Sequence, residues 1–259
     1  MSSFLQYFGG KHFLAPWIVE HMPVHKYYVE VFGGAGHVLF AKDKVYHEVF
    51  NDKDDILVDT FEVIRDDKER FLEAIMWYPY SRTLHKRLRS GGLPSGKFER
   101  ALWYFYLNRS GFNAQHGKGF SRSRTTSRAS SYRETVKDLD IFSDRLSKVT
   151  IECLDYGKIL PLYDTKDTFF YCDPPYYGNE DVYRIHFSRQ DHARLALLLK
   201  KIQGRVMVSY VDHPWIRRWY SEWNIIEKEY ASRSHRVRMG QPKSRRVELL
   251  IMNYSFVYD

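Results

Sequence analysis

The 259-residue chain is poor in cysteine, with only Cys153 and Cys172. Both lie in apolar runs with strand character, so two buried, reduced thiols are expected rather than a disulfide framework. With two thiols and no histidines at ligand spacing, no metal site is expected. Long apolar runs are missing as well. No stretch of about 18 apolar residues occurs, so no transmembrane helix is expected. The opening Met1-Ser2-Ser3-Phe4-Leu5-Gln6-Tyr7 lacks the basic-then-apolar layout of a secretion signal, and a cytoplasmic setting is expected. Internal repeats and coiled-coil heptads are absent from the pattern. What remains is apolar bulk: 44% hydrophobic residues, enough for one large domain or one domain carrying an insertion.

Acidic residues are scarce in particular places. The net charge is +8, yet residues 82–133 hold twelve Lys/Arg against one acid, Glu99. Residues 232–246 hold six Lys/Arg and no acid. Outside 82–133 the chain has 28 basic and 31 acidic residues, so the basic excess is local. A local excess interleaved with aromatics is the footprint of a polyanion partner, and nucleic acid is the expected one.

The most informative stretch is Phe169-Phe170-Tyr171-Cys172-Asp173-Pro174-Pro175-Tyr176-Tyr177. A short aromatic run after the polar turn Asp164–Asp167 predicts a buried strand, and two prolines end it because neither donates to a ladder. Asp173 then stands at a strand's C-terminal tip, where open α/β sheets keep their ligand crevice. The Asp173 carboxylate and the Pro174 carbonyl can both accept from one exocyclic amine. That draws the amine lone pair out of its ring and makes the nitrogen a nucleophile. Tyr176 can stack on the ring. Without further support, a proline-stopped strand and turn explains the same residues.

Asp173-Pro174-Pro175-Tyr176 resembles the catalytic motif of amino-group DNA methyltransferases, which act on the N6 of adenine or the N4 of cytosine. Other stretches extend the likeness. Tyr7-Phe8-Gly9-Gly10-Lys11, before a helix expected over 12–20, is similar to the opening motif of Dam-type adenine enzymes. There the aromatic (here Tyr7) and the lysine (Lys11) flank the methionyl group of S-adenosylmethionine, and the resemblance makes Gly10 a cofactor-binding residue as well. A strand at Tyr27–Phe32 runs into Gly33-Gly34-Ala35-Gly36 and then a helix. This first crossover lets a cofactor lie against backbone. With Glu30 and Phe32 it resembles the cofactor motif of this family, although its spacing is not that of a dinucleotide fingerprint.

A strand at Val45–Phe50 ends in Asn51-Asp52. The resemblance gives Asp52 to the cofactor ribose; a cap for a helix at 53–65 explains it equally. A strand at Val149–Leu154 ends in Asp155-Tyr156, whose matching positions bind the cofactor adenine amine and pack on its ring. A turn aspartate is the plainer alternative. Helices are expected at 68–77, 97–108 and 134–148, with a Gly/Ser/Arg loop at 117–128. Arg109, Asn113, Lys118, Arg122, Arg124 and Arg128 fall in this region, and the second basic loop supplies Arg236. Arginine, serine and threonine suit phosphate contacts, and arginine can fork onto guanine. A helix at 191–203 with a Ser188–Asp191 capping box and Gly204 as C-cap, a strand at 205–210, a helix from Pro214 and a hairpin at 224–230 and 247–254 complete the chain.

The resemblance, to the alpha class that contains Dam, spans nearly the whole chain. It implies an α/β, Rossmann-like S-adenosylmethionine-dependent methyltransferase fold, with a mostly parallel sheet and a C-terminal antiparallel hairpin. Residues 1–60 and 134–259 would form the catalytic domain and 61–133 an inserted, mainly helical target-recognition subdomain. It implies S-adenosyl-L-methionine as cofactor, double-stranded DNA as partner and a flipped adenine as target. No obligate protein partner is implied, and a prokaryotic or phage origin is. The recognition hairpin of GATC enzymes is not evident. Cytosine N4, RNA or protein methylation, and an inert DNA-binding module, stay open at this point.

Overall fold

The computed structural model describes residues 3–7, 11–112, 119–178, 180, 184–231 and 245–255, the side chains of 231 and 245 excepted. In chain order the elements begin with α1 (Ala15–Glu20), β1 (Tyr27–Glu30), α2 (His37–Ala41), β2 (His47–Asn51), α3 (Asp55–Asp66) and α4 (Lys68–Ile75). Then come α5 (Arg82–Ser90), α6 (Lys97–Ser110), α7 (Arg128–Lys137), α8 (Leu139–Leu146), β3 (Val149–Glu152) and α9 (Tyr156–Leu162). The last are β4 (Thr168–Cys172), α10 (Arg189–Leu199), β5 (Arg205–Val211), α11 (Pro214–Trp219), β6 (Asn224–Ala231) and β7 (Arg245–Met252). The seven strands form a mixed sheet, mostly parallel with antiparallel pairing at the C-terminal end, consistent with a Rossmann-like methyltransferase fold. Among the described residues no helix is long and apolar enough to cross a membrane.

Two compact units divide the chain: Met1–Glu20 with Gly33–Cys153, and His21–Phe32 with Leu154–Asp259. In the first, β2 and β3 pair in parallel, with Asn51 opposite Glu152. Its core is aromatic. Phe4, fully buried near the N-terminus, lies 4.8 Å from Phe61 and 5.3 Å from Phe142, while Phe50 stacks on Phe61 at 4.1 Å. Beside it is a buried ion triad. Arg145 forks onto Glu48 at 2.6 and 2.8 Å, and Lys42 reaches the same carboxylate at 2.5 Å. Burial alone would raise the Glu48 carboxyl, but the bonds from Arg145 and Lys42 outweigh it and hold the pKa below the usual range.

In the second unit β4 pairs in parallel with β1 and β5, and β7 lies antiparallel between β5 and β6. Every residue of β4 is buried, as expected of a strand covered on both faces. The hairpin expected near the C-terminus is present, and its last strand inserts into the sheet next to β5. The Ser188–Asp191 capping box is formed: the Ser188 hydroxyl accepts from Asp191 N–H, and the Asp191 carboxylate accepts from Ser188 N–H.

Several local expectations are corrected. Cys153 is exposed, because β3 stops at Glu152 and leaves it beyond the ladder; Cys172 is buried, and burial pushes its thiol pKa up. Asp54, not Asn51-Asp52, caps α3, accepting from the N–H groups of Ile56 and Leu57. Gly204 is not a helix C-cap: α10 ends with Lys200 in that place. Instead, a Cβ on Gly204 would fall 2.6 Å from the Thr168 carbonyl oxygen, so only glycine fits against β4. The single helix expected at 134–148 is two, α7 and α8, meeting at Asp138, and α7 begins inside the stretch expected as loop. Helices α5 and α9 are additional to the expected elements.

Candidate active site

The glycine turn after β1 belongs to the first unit, and its geometry is specific. Gly34 and Gly36 have φ of +51° and +68°, in the left-handed region that favours glycine. A Cβ on Gly33 would fall 2.2 Å from the Phe50 ring, and one on Gly34 would touch the Tyr7 ring at 3.4 Å. The turn is tied to the end of β2. Gly33 N–H donates to the Asn51 carbonyl at 2.7 Å, and Gly34 N–H donates to Asp52 Oδ2 at 2.8 Å. Asp52 Oδ1 accepts from Asp54 N–H at 2.8 Å. Burial raises the Asp52 carboxyl to about 6, against the pull of these backbone bonds and with a smaller push from the Asp54 charge.

Thus Tyr7, Gly33, Gly34, Gly36 and Asp52 come together, while capping is left to Asp54. Lys11 is buried ahead of α1, its carbonyl accepting from Leu14 and Ala15 N–H. His37, at the start of α2, is lowered to about 4 by burial and by the nearby His12 and Lys11. Gly10 lies outside the described residues.

The second unit holds the strand-tip residues. Glu30 is buried in β1 and accepts from the Tyr28 hydroxyl at 2.8 Å. Phe32 forms an aromatic wall with Tyr156 at 5.8 Å and Phe187 at 5.8 Å. Asp155 caps α9, accepting from Gly157 N–H at 3.0 Å. The Tyr156 hydroxyl donates to Asp191 Oδ1 at 2.8 Å, and the Arg194 guanidinium sits 5.1 Å over its ring. Burial, then the Asp191 carboxylate, push that phenol above its usual pKa.

Asp173 emerges half-buried directly after β4. Its Oδ1 accepts from the Ser209 hydroxyl at 3.0 Å, and Ser209 is hydrogen-bonded in turn to Tyr171 at 2.9 Å. Pro174 is buried and Pro175 half-buried. Tyr176 is only 7% exposed. Its hydroxyl donates to Glu248 Oε1 at 2.8 Å. Ser209 and Glu248 were not singled out from the sequence. Neither carries a local motif, being 36 and 72 residues from its partner.

In the helical part of the first unit, Arg122, Arg124 and Arg128 are exposed. Phe120 packs on α5, with the Arg82 guanidinium 5.2 Å over its ring, and Tyr80, ahead of that helix, donates to the Ser121 carbonyl at 2.8 Å. Helix α5 adds exposed Arg82, Lys86, Arg87 and Arg89, with no acid. Its Ser81 cap and following Gly91-Gly92 were legible signals for it. Arg109 is half-buried instead, donating to Thr135 Oγ1 at 2.5 Å, and burial lowers its guanidinium to about 10. Asn113, Lys118 and Arg236 lie outside the described residues.

A sequence model of the D12 class N6 adenine-specific DNA methyltransferases matches residues 7–233. The chain belongs to this family. It is 26% identical over 247 residues to a DNA adenine methylase of Vibrio cholerae serotype O1, with 87% of each chain covered. It is also 26% identical to the retron Ec67 DNA adenine methylase of Escherichia coli, covering 94% of this chain and 89% of that one. A DNA adenine methylase of Haemophilus influenzae is 27% identical over 244 residues, with 84% and 82% covered. The D12 family and these relatives make DNA adenine methyl transfer the activity class of the chain.

Proposed function

We propose that the chain transfers a methyl group from S-adenosyl-L-methionine to the N6 amine of an adenine flipped out of duplex DNA. The observation that carries this reading is Asp173 at the end of β4, its carboxylate held by Ser209 and followed by Pro174-Pro175-Tyr176. The donor residues of the first unit fit the cofactor. Gly34 and Gly36 hold the turn in a left-handed conformation that brings its backbone beside Asp52, and Asp52 offers a carboxylate there to ribose hydroxyls. Tyr7, Gly10 and Lys11 would flank its methionyl end. Glu30, Phe32, Asp155 and Tyr156 would supply the remaining contacts, Asp155 to the adenine amine and Tyr156 to the ring.

S-adenosylmethionine supplies an electrophilic methyl on a sulfonium. The protein's part is to make the adenine amine nucleophilic and to hold it still. The amine of a stacked, paired adenine is not accessible, so the base leaves the duplex. Asp173 and the Pro174 carbonyl accept its two N–H bonds, which localises the nitrogen lone pair. Tyr176 stacks on the ring and limits its orientation. The N–C bond would form as the methyl–sulfur bond breaks and the sulfur leaves as a neutral thioether; the nitrogen would then lose a proton to water and regain its conjugation, with no covalent bond to the enzyme. Residues 61–133 would serve as the target-recognition subdomain, with Arg122, Arg124 and Arg128 on phosphates or bases and Arg109 in a supporting place. Asn113, Lys118 and Arg236 would add to the DNA contacts.

Labelled S-adenosylmethionine with duplex DNA, and with RNA as competitor, tests the substrate class. Label should enter the duplex and resist an excess of RNA. Label in RNA or in protein alone would overturn the proposal.

A further inference from the structure

Stacking requires only the ring of Tyr176, yet its hydroxyl is engaged. It donates to Glu248 Oε1 at 2.8 Å, and Glu248 Oε2 accepts from the Tyr230 hydroxyl at 3.3 Å. Glu248 has no solvent exposure and stands in β7, followed by four fully buried apolar residues, Leu249 to Met252. Its neighbours across the sheet are Val211 on β5 and Lys228 on β6. A carboxylate taken out of water gives up strong hydration, which hydrogen bonds must offset. An apolar residue at this register would pack at less cost and would leave the Tyr176 hydroxyl without this acceptor.

We propose that Glu248 is a positioning residue that sets the plane of the Tyr176 ring, and through it the orientation of the target base. This rests on the reading of Tyr176 as the stacking residue. A tyrosine side chain has two rotatable bonds, and fixing the hydroxyl at the far end of the ring locks both. Tyr230 holds the second carboxylate oxygen from β6, so the acceptor itself has little freedom. The ring is then oriented before any base arrives, which removes an ordering cost from the reactive complex.

The test uses the full chain, labelled S-adenosylmethionine and a duplex carrying a site mapped from the wild-type product. Glu248→Leu and Tyr176→Phe should each lower kcat by about 10- to 50-fold, with the cofactor Kd changed by less than about twofold. The double variant should be no worse than the poorer single one, because both remove the same constraint. Glu248→Gln, which keeps an acceptor oxygen, should recover most of the rate. Independent, multiplying losses would overturn the proposal, as would a Glu248→Gln no better than Glu248→Leu. Tyr176→Phe leaves β7 untouched, so it carries the test even if Glu248→Leu fails to fold; wild-type kcat there overturns the inference. Full activity in Tyr176→Ala would instead remove Tyr176 from the site, a separate failure of the underlying reading.

Discussion

The sequence offers Asp52 two roles, a cap for α3 and a contact to a cofactor ribose, and the structure gives the cap to Asp54. Capping of α3 falls to Asp54, which frees the Asp52 carboxylate to bind Gly34 N–H beside the glycine turn. Burial raises its pKa to about 6, above the value of a free carboxylate. The folded chain therefore holds this proton where the unfolded chain has lost it. Stability that comes from the protonated form is present at low pH and is lost as pH rises through about 6. Ribose hydroxyls donate to the ionised form, so cofactor binding runs the other way. Below about pH 6 the cofactor Kd should rise by up to about tenfold per pH unit, and in Asp52→Asn it should be weaker and flat over that range. Titrations from about pH 5 to about pH 8 check this. A wild-type Kd that does not respond to pH would exclude Asp52 from the ribose contact.

The residues most easily found were those whose signal is contiguous. Phe169 to Tyr176 announces a strand, its stop and a carboxylate in one unbroken run. Ser209 and Glu248 announce nothing locally. Their meaning comes from β5 and β7 lying beside β4 and beyond it, a pairing set by the whole sheet.

At the scale of elements, β2 depends on more than its ladder. Glu48 points into a buried site where Lys42 and Arg145 are its partners, and Arg145 also donates to the Leu39 carbonyl at 2.9 Å. Glu48→Ala would remove the carboxylate that two buried cations share and should destabilise the fold by about 3–5 kcal/mol, read from urea denaturation. Because the Glu48 pKa is held down in the folded chain, its stabilisation is full above the ordinary glutamate pKa. It is lost as pH falls through the depressed folded value, so the variant and the wild type should converge in acid. A loss below about 1 kcal/mol would mean that the triad relaxes toward water.

Element boundaries were less legible than element types. Strands β1, β2, β4 and β5 were recognisable as short apolar runs bounded by turns. The basic helix α5 was hidden because Arg82, Lys86, Arg87 and Arg89 outnumber its apolar residues; only Ser81 and Gly91 mark its ends. Its fold comes from tertiary packing, with His85 buried against Ser110 at 2.8 Å. The break at Asp138 between α7 and α8 has no local signal, because the apolar spacing runs through it.

For the molecule as a whole, the charge pattern is the legible property. The basic excess lies in 82–133 and 232–246, and exposed Arg122, Arg124 and Arg128 sit in the first of these. Replacing all three by alanine should weaken duplex binding and lower the slope of log K against log salt by about 2 to 3, since each phosphate contact contributes about 0.9. Binding isotherms between about 50 and about 300 mM salt measure it. An unchanged slope would place the phosphate contacts elsewhere in the chain.

Activation of an adenine amine by the Asp173 tip is tested most directly by comparing wild type and Asp173→Ala with labelled S-adenosylmethionine and mixed-sequence duplex DNA, followed by nucleoside digestion and a separate cofactor titration. Wild type should yield N6-methyladenine, and Asp173→Ala should lose turnover while its cofactor Kd stays within about threefold, because the carboxylate acts on the amine in the transition state. N4-methylcytosine as the product, or an Asp173→Ala variant that still transfers or that loses cofactor binding instead, would contradict it.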